Sequence, residues 1–402
     1  MTAKSSGPVL NDRPPEGLIT EKATQAAQAM VGSYLRPEGP FVQDLSADSI
    51  RNFCNGIGDL NPLFRDAEYG RRSRHATIVA HPTTPMAYGY IGRTRWGFPG
   101  VHGFFAGNDW EFFRQWRPGD RMNCLERVVG VVEKKSKLSG RLVLQYTEAT
   151  WLNQHDDVIA KTLGWCTRHE RRASRESGKH EGVKTHQYSA KEMEAIERLE
   201  LNEPNQIRGG KIRYWQDVAE GEEMDPIARG PLTAMDLKGF NVGVGRGLTH
   251  GIVLMHAQRH PGHYFRNPEA GGGIEYTGVG HQRASVAQQI GVPSAYDYGP
   301  GRTAWLTTLV TNWMGDAAFL KRLRAEMRRF NIVGDTTWLK GKVARKYVRD
   351  GYALVDLEIW GENQKGDITA PGIATVMLPS KDLAHKAVVD GSRLDLELPL
   401  IR

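Results

Sequence analysis

Gly58-Asp59-Leu60-Asn61-Pro62-Leu63-Phe64-Arg65-Asp66 follows an amphipathic segment, Ala47 to Cys54, and turns sharply at Asn61-Pro62. A proline drives the residue before it into extended or turn geometry, so the chain leaves the helix here. An Asp beside an Asn in such a turn has two uses. It folds back on the local backbone as an Asx-type turn, or it holds and deprotonates a water. The rest of the chain bears on which.

At 402 residues, 40% apolar and 25% charged, the chain has room for two domains of ordinary size, each burying a real core. No run of about 18 apolar residues occurs, so no membrane span is expected. Residues 1–21 contain Pro and Ser but no apolar stretch, which predicts a disordered leader rather than a signal peptide. Cys54, Cys124 and Cys166 form no CxxC and no metal spacing, fitting free thiols in a reducing cytoplasm. Lys and Arg number 53 against 46 Asp and Glu, a net charge of +7. Arg168, Arg171, Arg172, Arg175 and Lys179 crowd one stretch without interleaved aromatics. That composition predicts a solvated linker, not a nucleic-acid arm. A mildly basic chain also suits a phosphate-bearing ligand such as coenzyme A.

Taken in order, Ala47 to Asn55 has helical spacing, and His81-Pro82-Thr83-Thr84-Pro85 leads into a helix start at Met86 to Ile91. Strand-like runs follow at Asn108–Phe113, Arg121–Val132, Arg141–Leu152 and Val158–Thr167, punctuated by Pro118-Gly119-Asp120, Ser139-Gly140 and His155-Asp156-Asp157. Ser189 followed by Glu192 opens a helix to Leu201 with a capping box. Then the pattern repeats. Phe53-x-x-Gly56-x-Gly58 matches Phe240-x-x-Gly243-x-Gly245, an offset of 240 − 53 = 187. Glu111-x-x-Arg114 with Gly119-Asp120 matches Glu326-x-x-Arg329 with Gly334-Asp335, an offset of 326 − 111 = 215. Asn153-Gln154-x-x-Asp157 matches Asn363-Gln364-x-x-Asp367, an offset of 363 − 153 = 210. Three matches in the same order imply a duplication, and a tandem α+β fold packed as an internal pseudo-dimer.

The second copy carries 215 − 187 = 28 additional residues between Gly245 and His281. This insertion holds His250, His256, His260, His263 and Gly271-Gly272-Gly273. His256 and His260 have the i, i+4 spacing of one helix face, but no HExxH, Cys or third ligand accompanies them, so no metal is expected. A lid over a binding groove is the better reading. Gly243-x-Gly245-x-Gly247 lacks the βαβ setting of a phosphate loop.

Gly58-Asp59-x-Asn61-Pro62-Leu63 with Asp66 resembles the signature of MaoC-like, R-specific enoyl-CoA hydratases and dehydratases. Trp110-Glu111-Phe112 and Arg117-Pro118-Gly119-Asp120 resemble the strand and turn that follow it there. Tyr296-Asp297-Tyr298-Gly299 through Trp305, Asn312 to Asp316 and Phe330 to Asp335 resemble the fused two-domain members, so the likeness covers most of residues 35–380. The resemblance implies a double hotdog: twice a curved antiparallel sheet wrapped around a central helix. It implies reversible hydration of a 2-enoyl-CoA to a 3-hydroxyacyl-CoA, with coenzyme A part of the substrate and no separate cofactor. In that family an Asp and a His five residues later activate water, an Asn fixes the loop, and backbone N–H groups at the central helix start hold the thioester oxygen. A helix start offers free donors and partial positive charge where enolate charge develops. Here the matching starts are Gly299 and His81-Pro82-Thr83. Pro82 has no N–H to give, which favours Gly299.

The motif is divided. Five residues after Asp59 stands Phe64, which cannot transfer a proton, and the 187 offset puts Arg246 at the second-half Asp position. Counting back from Ala287 and Gly291 places His281 at the missing His position. Three accounts remain open. His281 works with Glu275, Tyr276 or Asp297 of its own half; or Asp59 and His281 meet at the pseudo-dimer interface; or neither site reacts and the protein binds acyl-CoA or supports a catalytic partner. Thioester hydrolysis is a further chemistry of this fold.

The sequence thus predicts catalytic candidates His281, Asp59, Asn61, Asp297, Glu275 and Tyr276, and substrate-binding candidates Gly299, Tyr298, Tyr296, Arg302 and His81. Tyr264, Phe265 and Trp305 add aromatic surface near the expected groove, which suggests a bulky acyl group. The expected organisation is a flexible leader (1–34), a first hotdog (35–170), a basic linker and helix (171–205), a second hotdog (206–385) with a lid-like insertion (246–280), and a tail (386–402). A cytoplasmic acyl-CoA hydratase or dehydratase, paired as a dimer of double hotdogs and touching neither nucleic acid nor membrane, is the overall expectation.

Overall fold

Each half contributes a run of antiparallel strands, and the two runs meet edge to edge. The computed structural model describes residues 7–35, 39–89, 96–136, 140–176 and 183–382. In the first half these strands are β1 (His102–Phe112), β2 (Asn123–Ser136), β3 (Gly140–Leu152) and β4 (Val158–His169). The second half supplies β5 (Ile227–Arg229), a ribbon of β6 (Tyr264–Asn267) and β7 (Gly273–Tyr276), then β8 (Phe319–Glu326), β9 (Thr337–Arg349), β10 (Tyr352–Asn363) and β11 (Ile368–Met377). Nine of them form one sheet in the order β2-β3-β4-β1-β8-β11-β10-β9-β5, antiparallel throughout.

The duplication is visible in the register. At the β1–β8 seam Gly107 faces Glu326 and Glu111 faces Arg322. Adding 215 to 107 and 111 gives 322 and 326, so these two pairings exchange under the repeat. The β3–β4 and β10–β11 turns are copies as well. Asn153 Oδ1 accepts from the amides of His155 and Asp157, and Asn363 Oδ1 accepts from those of Lys365 and Asp367, all at 3.0 Å.

Two helices cross between the halves. Ala47–Ile57 starts in a Ser46/Ser49 capping box and stops at Gly58, which is left-handed at φ 71°. Ala234–Gly243 starts in a Thr233/Asp236 capping box. They touch where a Cβ on Gly56 would lie 2.7 Å from Gly243 Cα, and one on Gly243 equally close to Gly56 Cα. The central helix of the second half, Gly299–Met314, is buried over its whole length and packs against β1 and β8–β11. One apolar core joins the halves through Phe53, Trp110, Trp151, Phe240, Leu306 and Leu323.

Three expectations need correction. The leader packs instead of waving free from residue 7 onward: Thr20 caps the helix Glu21–Gln28, Ile19 and Ala27 are buried with Val128 and Val143, and Glu16 pairs with Arg175. The basic linker is not wholly solvated, because Arg168 still belongs to β4, and Arg171 and Ser174 of the short helix Arg171–Glu176 are buried. In the first half the proline-rich stretch makes a 3-10 turn, Thr84–Ala87, where a helix start was expected. Tyr90, Ile91, Ser139, Lys179 and the 386–402 tail lie outside the described residues. The helix expected after Ser189 is present as Ala190–Gln206, with its Ser189/Glu192 box. Among the described residues no helix is long and apolar enough to cross a membrane.

Candidate active site

A cavity of about 490 Å³ opens where the two halves meet, between the start of β1, the end of β4, the insertion and the start of the central helix. His281 ends a short 3-10 turn, Thr277–His281, and lines this cavity. Its Nδ1 lies 3.0 Å from the Tyr296 carbonyl oxygen and 3.1 Å from that of Asp297. Carbonyls only accept, so Nδ1 carries the proton and Nε2 of the neutral ring holds the lone pair. Tyr298 stacks on the ring at 3.9 Å and Tyr296 lies tilted at 4.1 Å. Burial pushes the imidazole pKa down to about 4, with the Arg246 charge adding to the fall against the two carbonyls.

The central helix begins beside it. Tyr298, its N-cap residue, gives no side-chain cap, and Pro300 follows at the first turn. The Gly299 amide is therefore one of the donors that a helix start leaves unpaired. Gly299 lines the cavity, and a Cβ there would stand 2.6 Å from Phe105 Cδ1 and 3.2 Å from Met327 Cγ. Only glycine lets β1 approach the helix start this closely.

Asp297 lines the same cavity at 3% exposure. Burial pushes its carboxyl up to about 6, against the opposing Arg302 charge and the Asn331 hydrogen bond. Its Oδ2 pairs with Arg302 Nε at 2.9 Å and accepts from Asn331 at 3.2 Å, while the buried Oδ1 has no hydrogen-bond partner. Arg302 also donates to the carbonyl oxygens of Arg329 and Thr369, so it holds the cavity wall. Tyr276, five residues before His281, lines the cavity with the Arg246 guanidinium 5.0 Å from its ring centre. Tyr296 and Tyr298 line it too, while Tyr264 and Phe265 are buried in the β6–β7 ribbon and Trp305 faces a smaller neighbouring cavity of about 360 Å³.

The opening motif lies away from His281, with Gly58 and Leu60 on the wall of the smaller cavity. Asp59 is fully buried and lines neither cavity. One carboxylate oxygen accepts from the Asn61 amide at 2.8 Å, and the other accepts from the Thr308 hydroxyl of the central helix at 2.7 Å. Asn61 caps the next turn through the Leu63 amide. The motif works as an Asx-type turn pinned to the second half, and Asp59 shares no bonding partner with His281. His81 is sealed at 0% exposure between the rings of Phe53 and Phe64, with its Nε2 3.7 Å from Asp59 Oδ2. It lines no part of either cavity, so its expected contact with substrate is not made here. Glu275 is held by Asn267 at 2.7 Å and by Arg283 at 3.0 Å and does not line the cavity that holds His281.

The first half contributes residues that the sequence reading passed over: His102, Phe104 and Phe105 of β1, Arg168 and His169 of β4, and Arg171 just beyond. Thr167-Arg168-His169 extends the β4 pairing to His102, and that continued pairing is what carries the basic cluster into the cavity. The insertion adds His260, His263, Tyr276 and Thr277 to the lining. His256 Nδ1 meets the Tyr264 hydroxyl at 2.8 Å, and among the described residues no group of three His, Cys, Asp or Glu side chains is placed to hold a metal ion.

Residues 29–162 match the family described as the FAS1-like dehydratase domain region. UPF0336 proteins of Parafrankia sp. and Streptomyces coelicolor are 43% and 34% identical over 56 residues, which is 14% of this chain and 36% of each relative. The chain thus matches only about a third of the length of these curated relatives. Among solved structures, a MaoC-like dehydratase superposes with a TM-score of 0.58 at 14% identity, over 88% of this chain and 100% of the other. A conserved hypothetical protein from Mycobacterium tuberculosis, described as a double hotdog, gives 0.53 at 11% identity over 87% and 96%. Likeness at such low identity speaks to fold, and the fold is the double hotdog.

Proposed function

From a double-hotdog chain whose first half carries a FAS1-like dehydratase region, we propose a hydro-lyase that adds water to a 2-enoyl-CoA, or removes it from the 3-hydroxyacyl-CoA. One observation carries the reading: His281, its lone pair fixed on Nε2, shares a cavity with the uncapped helix start at Gly299. In the hydration direction Nε2 takes a proton from water as the oxygen bonds to C3. The C2–C3 π electrons move to C2 and the thioester oxygen, where the Gly299 N–H meets the developing charge. The proton then returns to C2 from the imidazolium, which restores the neutral ring. Tyr276, at the position five before His281, completes the polar wall. Arg328 and Arg329, exposed at the rim, suit the phosphates of coenzyme A. Asp59 serves by tying the first half to the central helix through Thr308, and Asn61 by capping the turn at Leu63.

His281→Ala should lower turnover of a short 2-enoyl-CoA about 10²–10⁴-fold, the usual worth of a general base, with the enoyl absorbance as readout. Undiminished turnover sinks the assignment. A second reading has its own observation: the second half has Arg246 at the repeat position of Asp59 and Tyr276 five residues before His281, and Asp59 itself lies outside both cavities. On that reading the cavity binds acyl-CoA without reacting, and titration gives saturable binding with no loss of any enoyl substrate. Release of free thiol would instead point to thioester hydrolysis.

A further inference from the structure

Arg171 is buried to 5% exposure and lines the large cavity, yet its Nε and Nη1 have no hydrogen-bond partner. The carboxylate that bears on it, Glu16, is already hydrogen-bonded to Arg175 at 2.9 Å. The other arginines that line the cavity have partners, Arg246 lying over the Tyr276 ring. Arg302 has Asp297, Arg328 and Arg329 have Glu326 and Asp367, and Arg168 donates to the carbonyls of Trp96, Phe98 and Val101. His102, at 9% exposure, also presents a buried Nε2 without a partner to this cavity. A buried guanidinium cannot shed its charge, and leaving one unpaired is strongly unfavourable. Such a site is completed by an anion that arrives with the ligand.

The position of the pair says which part of a ligand that is. Arg171 and His102 line the same cavity as His281, and the Phe104 ring, 4.4 Å from that of His102, lies 6.3 Å from that of Tyr296. The Tyr296 ring is 4.1 Å from that of His281. An anion at Arg171 is therefore a neighbour of the reacting carbons, whereas the phosphates of coenzyme A lie a full pantetheine arm away. We infer that Arg171, flanked by Arg168 and His102, is a subsite for a carboxylate carried at the far end of a short acyl chain, so that the substrate class is the thioester of a dicarboxylic acid. This rests on the thioester reading above and sharpens it.

The test uses saturated ligands, so that binding is read apart from turnover. Succinyl-CoA and its neutral isostere 4-methylpentanoyl-CoA are titrated into the intact protein by calorimetry. The carboxylated ligand should bind at least about tenfold tighter, the scale of a charge-assisted bidentate pair. Arg171→Met should erase that preference while changing the affinity of the neutral ligand less than about twofold. The same preference should persist in the two acyl-pantetheines, which carry no phosphate. Equal affinities in the native protein, equal loss of both ligands in Arg171→Met, or a preference that vanishes without the phosphates overturns the subsite and leaves the thioester reading standing. If neither acyl-CoA binds, the thioester reading fails and the subsite with it. Should Arg171→Met fail to fold, the native comparison and the pantetheine pair decide the matter alone.

Discussion

A histidine whose Nδ1 is spoken for by two carbonyls, and whose charge is disfavoured by burial, keeps its lone pair well into acid. His281 is held at about 4, so the acid limb of kcat/KM for hydration should fall near pH 4. A limb near the ordinary value of 6.5 would mean that another base is at work. Gly299→Ala puts a methyl 2.6 Å from Phe105 and displaces the helix start, so kcat should fall about 10²-fold or more. His281 could be singled out from the sequence because a positional motif survives divergence even when its partner does not, and it lines the large cavity. Asp59 was legible as chemistry but folds as a turn, since whether a carboxylate meets a cavity depends on what packs over it, here Thr308 from 249 residues away. Arg171 was illegible for the same reason reversed: nothing local distinguishes a buried arginine from its exposed neighbours Arg172 and Arg175.

At the scale of elements, helix caps and turns could be read directly because their hydrogen bonds are local. Ser189 with Glu192 and the paired Asn153 and Asn363 turns needed no knowledge of the fold. The first-half counterpart of the central helix could not be read so. His81-Pro82 resembled a helix start, yet the chain makes a 3-10 turn whose residues are all buried. Helix crossing is equally invisible in periodicity. Gly243→Val should destabilise the protein by about 1–3 kcal/mol, the cost of overpacking, since the obstacle is the Gly56 backbone and not a flexible side chain. The urea midpoint measures it, and an unchanged midpoint would mean that the helices part without cost.

The whole molecule hangs on the seam between β1 and β8. Lys321, fully buried, pairs with Glu111 at 2.9 Å, and Arg322 pairs with Asp109 at 2.6 Å, each bond joining one half to the other. Lys321→Met should cost about 3–5 kcal/mol by stranding the Glu111 charge, and Glu111→Leu in the same chain should recover most of it. Thermal unfolding of the single and double variants checks this. The sealed histidine adds a pH signature. Burial takes His81 from 6.5 to about 3, so the unfolded chain gains a proton that the native chain refuses. Its contribution is full above pH 6.5 and is lost as pH falls from there towards 3. Asp59, raised by burial, acts in the opposite sense above its ordinary value. His81→Leu should therefore flatten the loss of stability between pH 6.5 and 5, and an unaltered slope would assign the loss to other groups. The Gly56–Gly243 crossing has a consequence for how this chain can change. Most close contacts leave a compensating route, in which one side shrinks as the other grows. Here both sides are already at the smallest residue, and each would collide with main chain, so no second substitution at the partner rescues the first. The two positions are a dead end for pairwise drift, and the duplicated halves are locked into a single evolutionary unit at that point.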